Sequence, residues 1–207
     1  LIVTGGPGTG KTTVMSGILA LFDLMKIKTQ LAAPTGRAAK RLAECTGREA
    51  STIHRLLESQ FDEETGMMSF FHDEDEPLPC DALIVDETSM VDLPLMASLL
   101  KALKPGCRLL LVGDPDQLPP VGPGNVFSDL IRSGMVQTVR LTQVFRQAQK
   151  SLIVMNAHAV NQGELPLLTA TDRDFFFLRR RDPAAAVKTI QELCLTRLPK
   201  NMGIQPS

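Results

Sequence analysis

Short runs of consecutive apolar residues alternate along the chain with longer, mixed stretches of helix length. The runs lie at 1–4, 30–33, 82–85, 108–112, 138–141 and 175–178. Residues apolar at successive positions, rather than at every second one, suit strands buried on both faces of a parallel sheet. The stretches between them predict helices over 11–25, 37–45, 51–57, 92–103, 125–133, 151–161 and 183–195. The last begins with Asp182 at the N-cap and Pro183 at the first helical position, a strong start signal. Strands alternating with helices on this scale predict an α/β fold with helices on both faces of the sheet.

One stretch breaks the rhythm. Residues 60–79 carry Phe61, Met67, Met68, Phe70 and Phe71 among seven acidic residues, with Glu64-Thr65-Gly66 at the centre. The pattern reads as a protruding β-hairpin with a glycine-containing turn; a solvated acidic loop is the alternative.

Composition adds bounds. The chain has 207 residues, 43% hydrophobic and 22% charged, which suits a globular domain with a sizeable core and excludes a disordered tail. Lys plus Arg number 22 against 23 Asp plus Glu, a net charge of -1, so any basic surface for nucleic acid must be local. No apolar run approaches the roughly 18 residues of a membrane span. Cys45, Cys80, Cys107 and Cys194 form no C-x-x-C pair and read as free thiols of a reducing, cytoplasmic setting. His54, His72 and His158 are scattered, against a metal cluster. The chain opens inside an apolar strand and closes on a loop-like stretch at 201–207, so it reads as a piece of a longer protein.

Gly5-Gly6-Pro7-Gly8-Thr9-Gly10-Lys11-Thr12 matches G-x-x-x-x-G-K-[ST] at every fixed position, with a strand before it and a helix after it. Glycines let the backbone wrap closely enough to aim N–H groups at phosphate oxygens, and the helix adds the positive end of its dipole. The expected nucleotide contacts are Gly6, Pro7, Gly8, Thr9, Gly10, Lys11, Thr12 and Thr13, with Lys11 bridging β- and γ-phosphates and Thr12 ligating Mg²⁺. A magnesium-bound nucleotide also needs a carboxylate on a neighbouring strand. Residues 82–85 run into Asp86 and Glu87. Asp86 would face the metal, and Glu87 would orient and deprotonate an attacking water. A third apolar run ends in Gly113-Asp114-Pro115-Asp116-Gln117-Leu118-Pro119-Pro120. The amide of Gln117 has an acceptor and donors, so it can touch both a γ-phosphate oxygen and the lytic water.

Taken in order, these segments resemble the RecD/TraA-type superfamily 1 DNA helicases. Beside the P-loop, the resemblance rests on 33–39 (Ala-Pro-Thr-Gly-Arg-Ala-Ala) and 51–57 (Ser-Thr-Ile-His-Arg-Leu-Leu). It continues through 86–90 (Asp-Glu-Thr-Ser-Met), 112–120 and 141–147 (Leu-Thr-Gln-Val-Phe-Arg-Gln), covering nearly the whole chain. A P-loop alone is unspecific; the last three motifs in this order are far more specific. The resemblance implies a RecA-like P-loop fold with a mainly parallel sheet flanked by helices. Residues 1–59 and 80–207 would form the motor domain, and 60–79 an inserted hairpin at the place of a strand-separating pin. It implies ATP and Mg²⁺ as ligands, single-stranded and duplex DNA as partners, and 5′→3′ movement. The intact protein would act either alone or within a recombination nuclease complex.

By the same resemblance, Arg146 contacts the γ-phosphate, a role its bidentate guanidinium suits. Pro34, Thr35, Arg37, Thr52 and His54 fall in segments that touch single-stranded DNA, though a lone histidine serves equally as a structural residue. Phe70 or Phe71 would pack either on a terminal base pair or against the rest of the protein. An adenine-recognising segment is expected before Leu1, and a second RecA-like domain bearing an arginine finger after Ser207. Without that finger, which is worth about 10³–10⁵ in rate, this stretch alone would hydrolyse ATP very poorly. The aromatic and basic run at 175–181 reads as a buried edge strand ending in a solvated turn. Two other classes remain open: a non-motor P-loop switch or scaffold, and a small-molecule kinase. The kinase lacks its substrate-binding insertion and arginine-rich lid.

Overall fold

The computed structural model describes residues 1–61, 68–145, 148–170 and 174–203. The strands are β1 (Ile2–Gly5), β2 (Thr29–Ala33), β3 (Ser51–Thr52), β4 (Ser59–Phe61), β5 (Met68–Phe70), β6 (Ala82–Val85), β7 (Arg108–Gly113) and β8 (Thr138–Leu141). The helices are α1 (Lys11–Leu24), α2 (Gly36–Thr46), α3 (Ile53–Leu56), α4 (Leu93–Lys101), α5 (Val126–Ser133), α6 (Leu152–Asn161), α7 (Pro183–Glu192) and α8 (Leu198–Met202). Six strands form one sheet in the order β3-β2-β6-β7-β1-β8, and every pairing in it is parallel. Parallel strands end on the same edge, so the loops after β6, β7 and β1 emerge side by side.

Alternation along each strand sorts the core into two layers. Ile2, Leu83, Val85 and Leu111 face one side, where they pack with Met96 and Leu99 of α4 and Phe127 of α5. Val3, Ile84, Leu110 and Val112 face the other, against Met15 and Leu19 of α1 and Leu42 of α2. The apolar runs are continuous because both faces are covered. Caps fix the helix starts: Thr35, Thr52, Asp92, Ser151 and Asp182 each accept a backbone N–H from the first turn of the helix that follows. All four cysteines are free. Cys80 is buried with its Sγ 3.9 Å from that of Cys107, and burial, then this neighbour, pushes its thiol up to about 12. No helix among the described residues is long and apolar enough to cross a membrane.

Three expectations change. The helix over 51–57 starts later: Ser51 and Thr52 pair with Ala32 and Ala33 of β2, and only Ile53–Leu56 is helical. The open edge of β2 offers hydrogen bonds that two β-branched or small residues take before Thr52 caps the turn. Residues 175–178 form no strand, and Phe176, Phe177 and Leu178 are about half exposed or more. Strand propensity gives a strand only where a neighbour supplies backbone partners, and none of the described strands pairs there. The hairpin is narrower than 60–79. β4 and β5 pair antiparallel with Ser59 opposite Phe70 and Phe61 opposite Met68. Beyond β5 the Asp73 carboxylate accepts the N–H groups of Asp75 and Glu76 at 2.9 and 3.1 Å, bending the chain away. The expected turn at Glu64-Thr65-Gly66 lies outside the described residues.

Candidate nucleotide-binding site

β1 runs directly into the glycine-rich loop, and α1 begins at Lys11. Gly8 and Gly10 have φ of 75° and 88°, in the left-handed region that favours glycine. A Cβ on Gly10 would also overlap the ring of Phe145. The loop is braced from within: Thr9 Oγ1 donates to the Gly6 carbonyl at 2.8 Å. Lys11 Nζ folds back to donate to the carbonyls of Gly5 and Gly6 at 2.6 and 3.2 Å. These are neutral acceptors, so an anionic oxygen arriving in the loop would compete well for the ammonium.

Gly6, Pro7, Gly8, Thr9, Gly10, Lys11, Thr12 and Thr13 line a cleft of about 970 Å³, together with Asp86, Glu87 and Gln117. The three segments come from β1, β6 and β7, which are adjacent in the sheet. Asp86 Oδ1 accepts the Glu87 backbone N–H at 2.9 Å. Burial holds the Asp86 carboxyl above its ordinary range, opposed by that hydrogen bond and by the charges of Lys11 and Arg41. Glu87 is also raised, first by burial and then by the negative charge of Asp86. Its backbone sits at φ 52°, unusual for a residue with a side chain, and its buried Oε2 has no hydrogen-bond partner. A strained, partly desolvated carboxyl with an unused acceptor is suited to holding a water. Gln117 is exposed on a tight turn, where its N–H donates to the Asp114 carbonyl at 3.2 Å and Asp114 Oδ1 accepts from Asp116 N at 3.1 Å. Arg146 lies outside the described residues.

The five residues matched to DNA-contacting segments stand apart from this cleft. Pro34, Thr35 and Arg37 follow β2, and Thr52 and His54 follow or end β3, so both groups lie at the same sheet edge beside each other. Thr35 Oγ1 accepts from Ala38 N and Thr52 Oγ1 from Arg55 N, each at 3.2 Å, so both hydroxyls have a capping task. Arg37 is exposed. The His54 ring centroid lies 5.9 Å from that of Phe70, joining α3 to the hairpin. Phe70 is partly buried against the core, whereas Phe71 is 47% exposed beside His72.

Residues 1–123 match the family model of the AAA domain. The chain belongs to the AAA domain family. This AAA domain is similar to the ATP-dependent RecD2 DNA helicase of Deinococcus radiodurans. The two are 49% identical over 166 residues, covering 80% of this chain and 22% of that protein. It is 37% identical over 218 residues to the RecBCD enzyme subunit RecD of Mycobacterium tuberculosis, covering 91% of this chain and 37% of that protein. The chain thus spans well under half the length of these curated relatives. The structure of Bacteroides sp Pif1 in complex with ADP-AlF4 superposes with a TM-score of 0.52 at 24% identity, covering 92% of this chain and 51% of that one. The fold is the RecA-like P-loop α/β fold.

Several cleft residues of the AAA domain carry no motif. Arg41 and Cys45 reach it from α2, Ala148 from the turn before α6 and Val154 from α6 itself, while Phe145, which also lines it, belongs to the 141–147 motif. Arg37 and Arg41 are spaced four apart at the start of a helix that follows a strand, a hint that their shared face looks toward the sheet edge. The Phe145 packing on Gly10 is tertiary and leaves no local signal.

Proposed function

We propose that this chain is the ATP-binding first motor domain of an ATP-dependent 5′→3′ DNA helicase of recombination or repair. The observation that carries this reading is the convergence in one cleft of the P-loop, Asp86–Glu87 and Gln117, with exposed Arg37 at the same sheet edge. The similarity to proteins named DNA helicases supports the substrate.

In this reading the triphosphate enters the loop of Gly6–Thr13, and Lys11 Nζ leaves the carbonyls of Gly5 and Gly6 for the β- and γ-phosphate oxygens. The Thr12 hydroxyl and the Asp86 carboxylate are hard oxygen donors lining one cleft, a set that fits Mg²⁺. Magnesium, when bound there, neutralises phosphate charge. Glu87 accepts the proton of the attacking water. Gln117 orients that water and senses the γ-phosphate. Arg146 is assigned to the γ-phosphate by its place in Thr-Gln-Val-Phe-Arg. ATP then draws a second RecA-like domain onto this one, and hydrolysis releases it. Pro34, Thr35, Arg37, Thr52 and His54 hold one DNA strand by its backbone, which makes movement indifferent to sequence. Residues 60–79, with Phe71 exposed, serve as the strand-separating insertion. The setting is cytoplasmic, with the protein acting alone or within a recombination nuclease complex.

Unwinding of tailed duplexes by the full-length protein tests the direction. A duplex with a 5′ single-stranded tail is expected to be separated at least about tenfold faster than one with a 3′ tail. Equal rates, or a preference for the 3′ tail, would contradict the reading.

A further inference from the structure

One face of α6 grips two loops of the cleft. His158 Nε2 lies 3.0 Å from the carbonyl oxygen of Pro7. A carbonyl only accepts, so Nε2 carries the hydrogen and the imidazole donates. The same ring fills the space beside Gly6: a Cβ there would stand 2.7 Å from His158 Cε1. One turn further on, Asn161 Nδ2 donates to Asp116 Oδ2 at 2.8 Å. Asp116 immediately precedes Gln117, and its own N–H is tied to Asp114. Residues three apart on a helix are neighbours on its surface, so both grips come from one rigid face.

The helix is anchored independently of these contacts. Ser151 Oγ accepts from Val154 N at 3.2 Å at its start. In its middle, buried Asn156 donates to the Leu167 carbonyl and accepts the Leu167 N–H, at 3.0 and 2.8 Å. One helix, braced along its length, therefore links Pro7 to Asp116.

We propose that His158 and Asn161 are positioning residues that tie the P-loop to the Gln117 turn, so that phosphate held at one sets the side chain at the other. The inference rests on the reading of the cleft as a nucleotide site. Neither residue touches phosphate; each acts through the loop it holds. The two therefore differ in effect. Pro7 belongs to the loop that cradles every phosphate, so loss of the His158 bond weakens diphosphate and triphosphate alike. Asp116 positions only the residue that meets the γ-phosphate, so loss of the Asn161 bond weakens the triphosphate alone.

The test is equilibrium binding of Mg-ADP and of a non-hydrolysable Mg-ATP analogue to the full chain and its variants. H158A is expected to weaken both about tenfold, the worth of one hydrogen bond together with the ring's packing beside Gly6. H158Q, whose amide nitrogen stands near the lost Nε2, recovers both to within about threefold. N161D sets a carboxylate against Asp116 and is expected to weaken the ATP analogue about tenfold or more, with ADP changed less than about twofold. D116N added to N161D restores a donor and an acceptor in exchanged places and recovers the analogue.

A merely structural role would not produce that split or its reversal. Equal losses for the two nucleotides in N161D, no recovery in the doubly substituted chain, or wild-type binding by H158A would overturn the inference while Lys11→Ala still abolishes binding. Wild-type binding by Lys11→Ala would overturn the nucleotide-site reading itself, and the inference with it.

Discussion

Lys11→Ala is expected to reduce affinity for Mg-ATP by at least about 100-fold, because a charge-assisted hydrogen bond contributes roughly 1.5–3 kcal/mol and Lys11 offers more than one. The loss has two physical parts. The ammonium that would meet the phosphate oxygens is gone, and so are its bonds at 2.6 and 3.2 Å to the Gly5 and Gly6 carbonyls, which brace the loop in the nucleotide-free state. Titration of a fluorescent ATP analogue into the wild type and the variant measures the first part. Amide exchange at residues 5–10 without nucleotide measures the second, and should rise. Because the loop keeps its Thr9 brace, the fold is expected to survive, with an unchanged melting transition of the core.

The second large effect concerns Glu87. Glu87→Gln is expected to lower ATP hydrolysis by the full-length protein at least about 100-fold, the usual contribution of a general base. ATP binding should stay within about threefold, since the residue meets water rather than phosphate. The same substitution is expected to raise the melting temperature of the nucleotide-free chain at neutral pH. The sign follows from burial. The carboxyl of Glu87 is shifted upward in the folded state by burial and by Asp86, so the folded chain holds its proton more tightly than the unfolded one. The cost of ionising it is absent below its unfolded pKa, grows as pH rises from there to the folded value, and is full above that. Glutamine removes that cost. The stability gap between the variant and the wild type should therefore narrow as pH falls toward the unfolded pKa of Glu87, as paired melting curves would show. A site that destabilises its own fold in this way is consistent with function placed above stability at that position.

The grouping of the glycine loop with Asp86, Glu87 and Gln117 in one cleft was the most legible part of the chain, because its signals are local. A glycine loop, a lysine and a threonine act over eight consecutive residues, and the loop's strand and helix are marked by continuous apolar runs. The acid pair and Gln117 were legible for the same reason: each ends an apolar run, and parallel strands bring such ends to one edge. What depended on distant partners was not legible. Ser51 and Thr52 became a strand because β2 had an open edge, which nothing in 51–57 records. The aromatic run at 175–178 had the composition of a strand but found no described partner. Thr35 and Thr52 were read as lying in DNA-contacting segments, and each hydroxyl also caps a helix, so the sequence left the capping task hidden behind the motif. Phe70 and Phe71, adjacent and alike in sequence, separate in the fold: one packs inward against His54, the other stays exposed. His158 and Asn161 sit on a helix without a motif, more than 40 residues from one loop they hold and about 150 from the other, and only the folded chain brings them there.

The central claim is that this cleft drives a motor along DNA, and the most direct measurement is ATP hydrolysis by the full-length protein with and without a single-stranded oligonucleotide. The account predicts slow hydrolysis alone and stimulation of at least about tenfold by the oligonucleotide. Hydrolysis that depends on Lys11 but is indifferent to DNA would contradict it and favour a nucleotide switch instead.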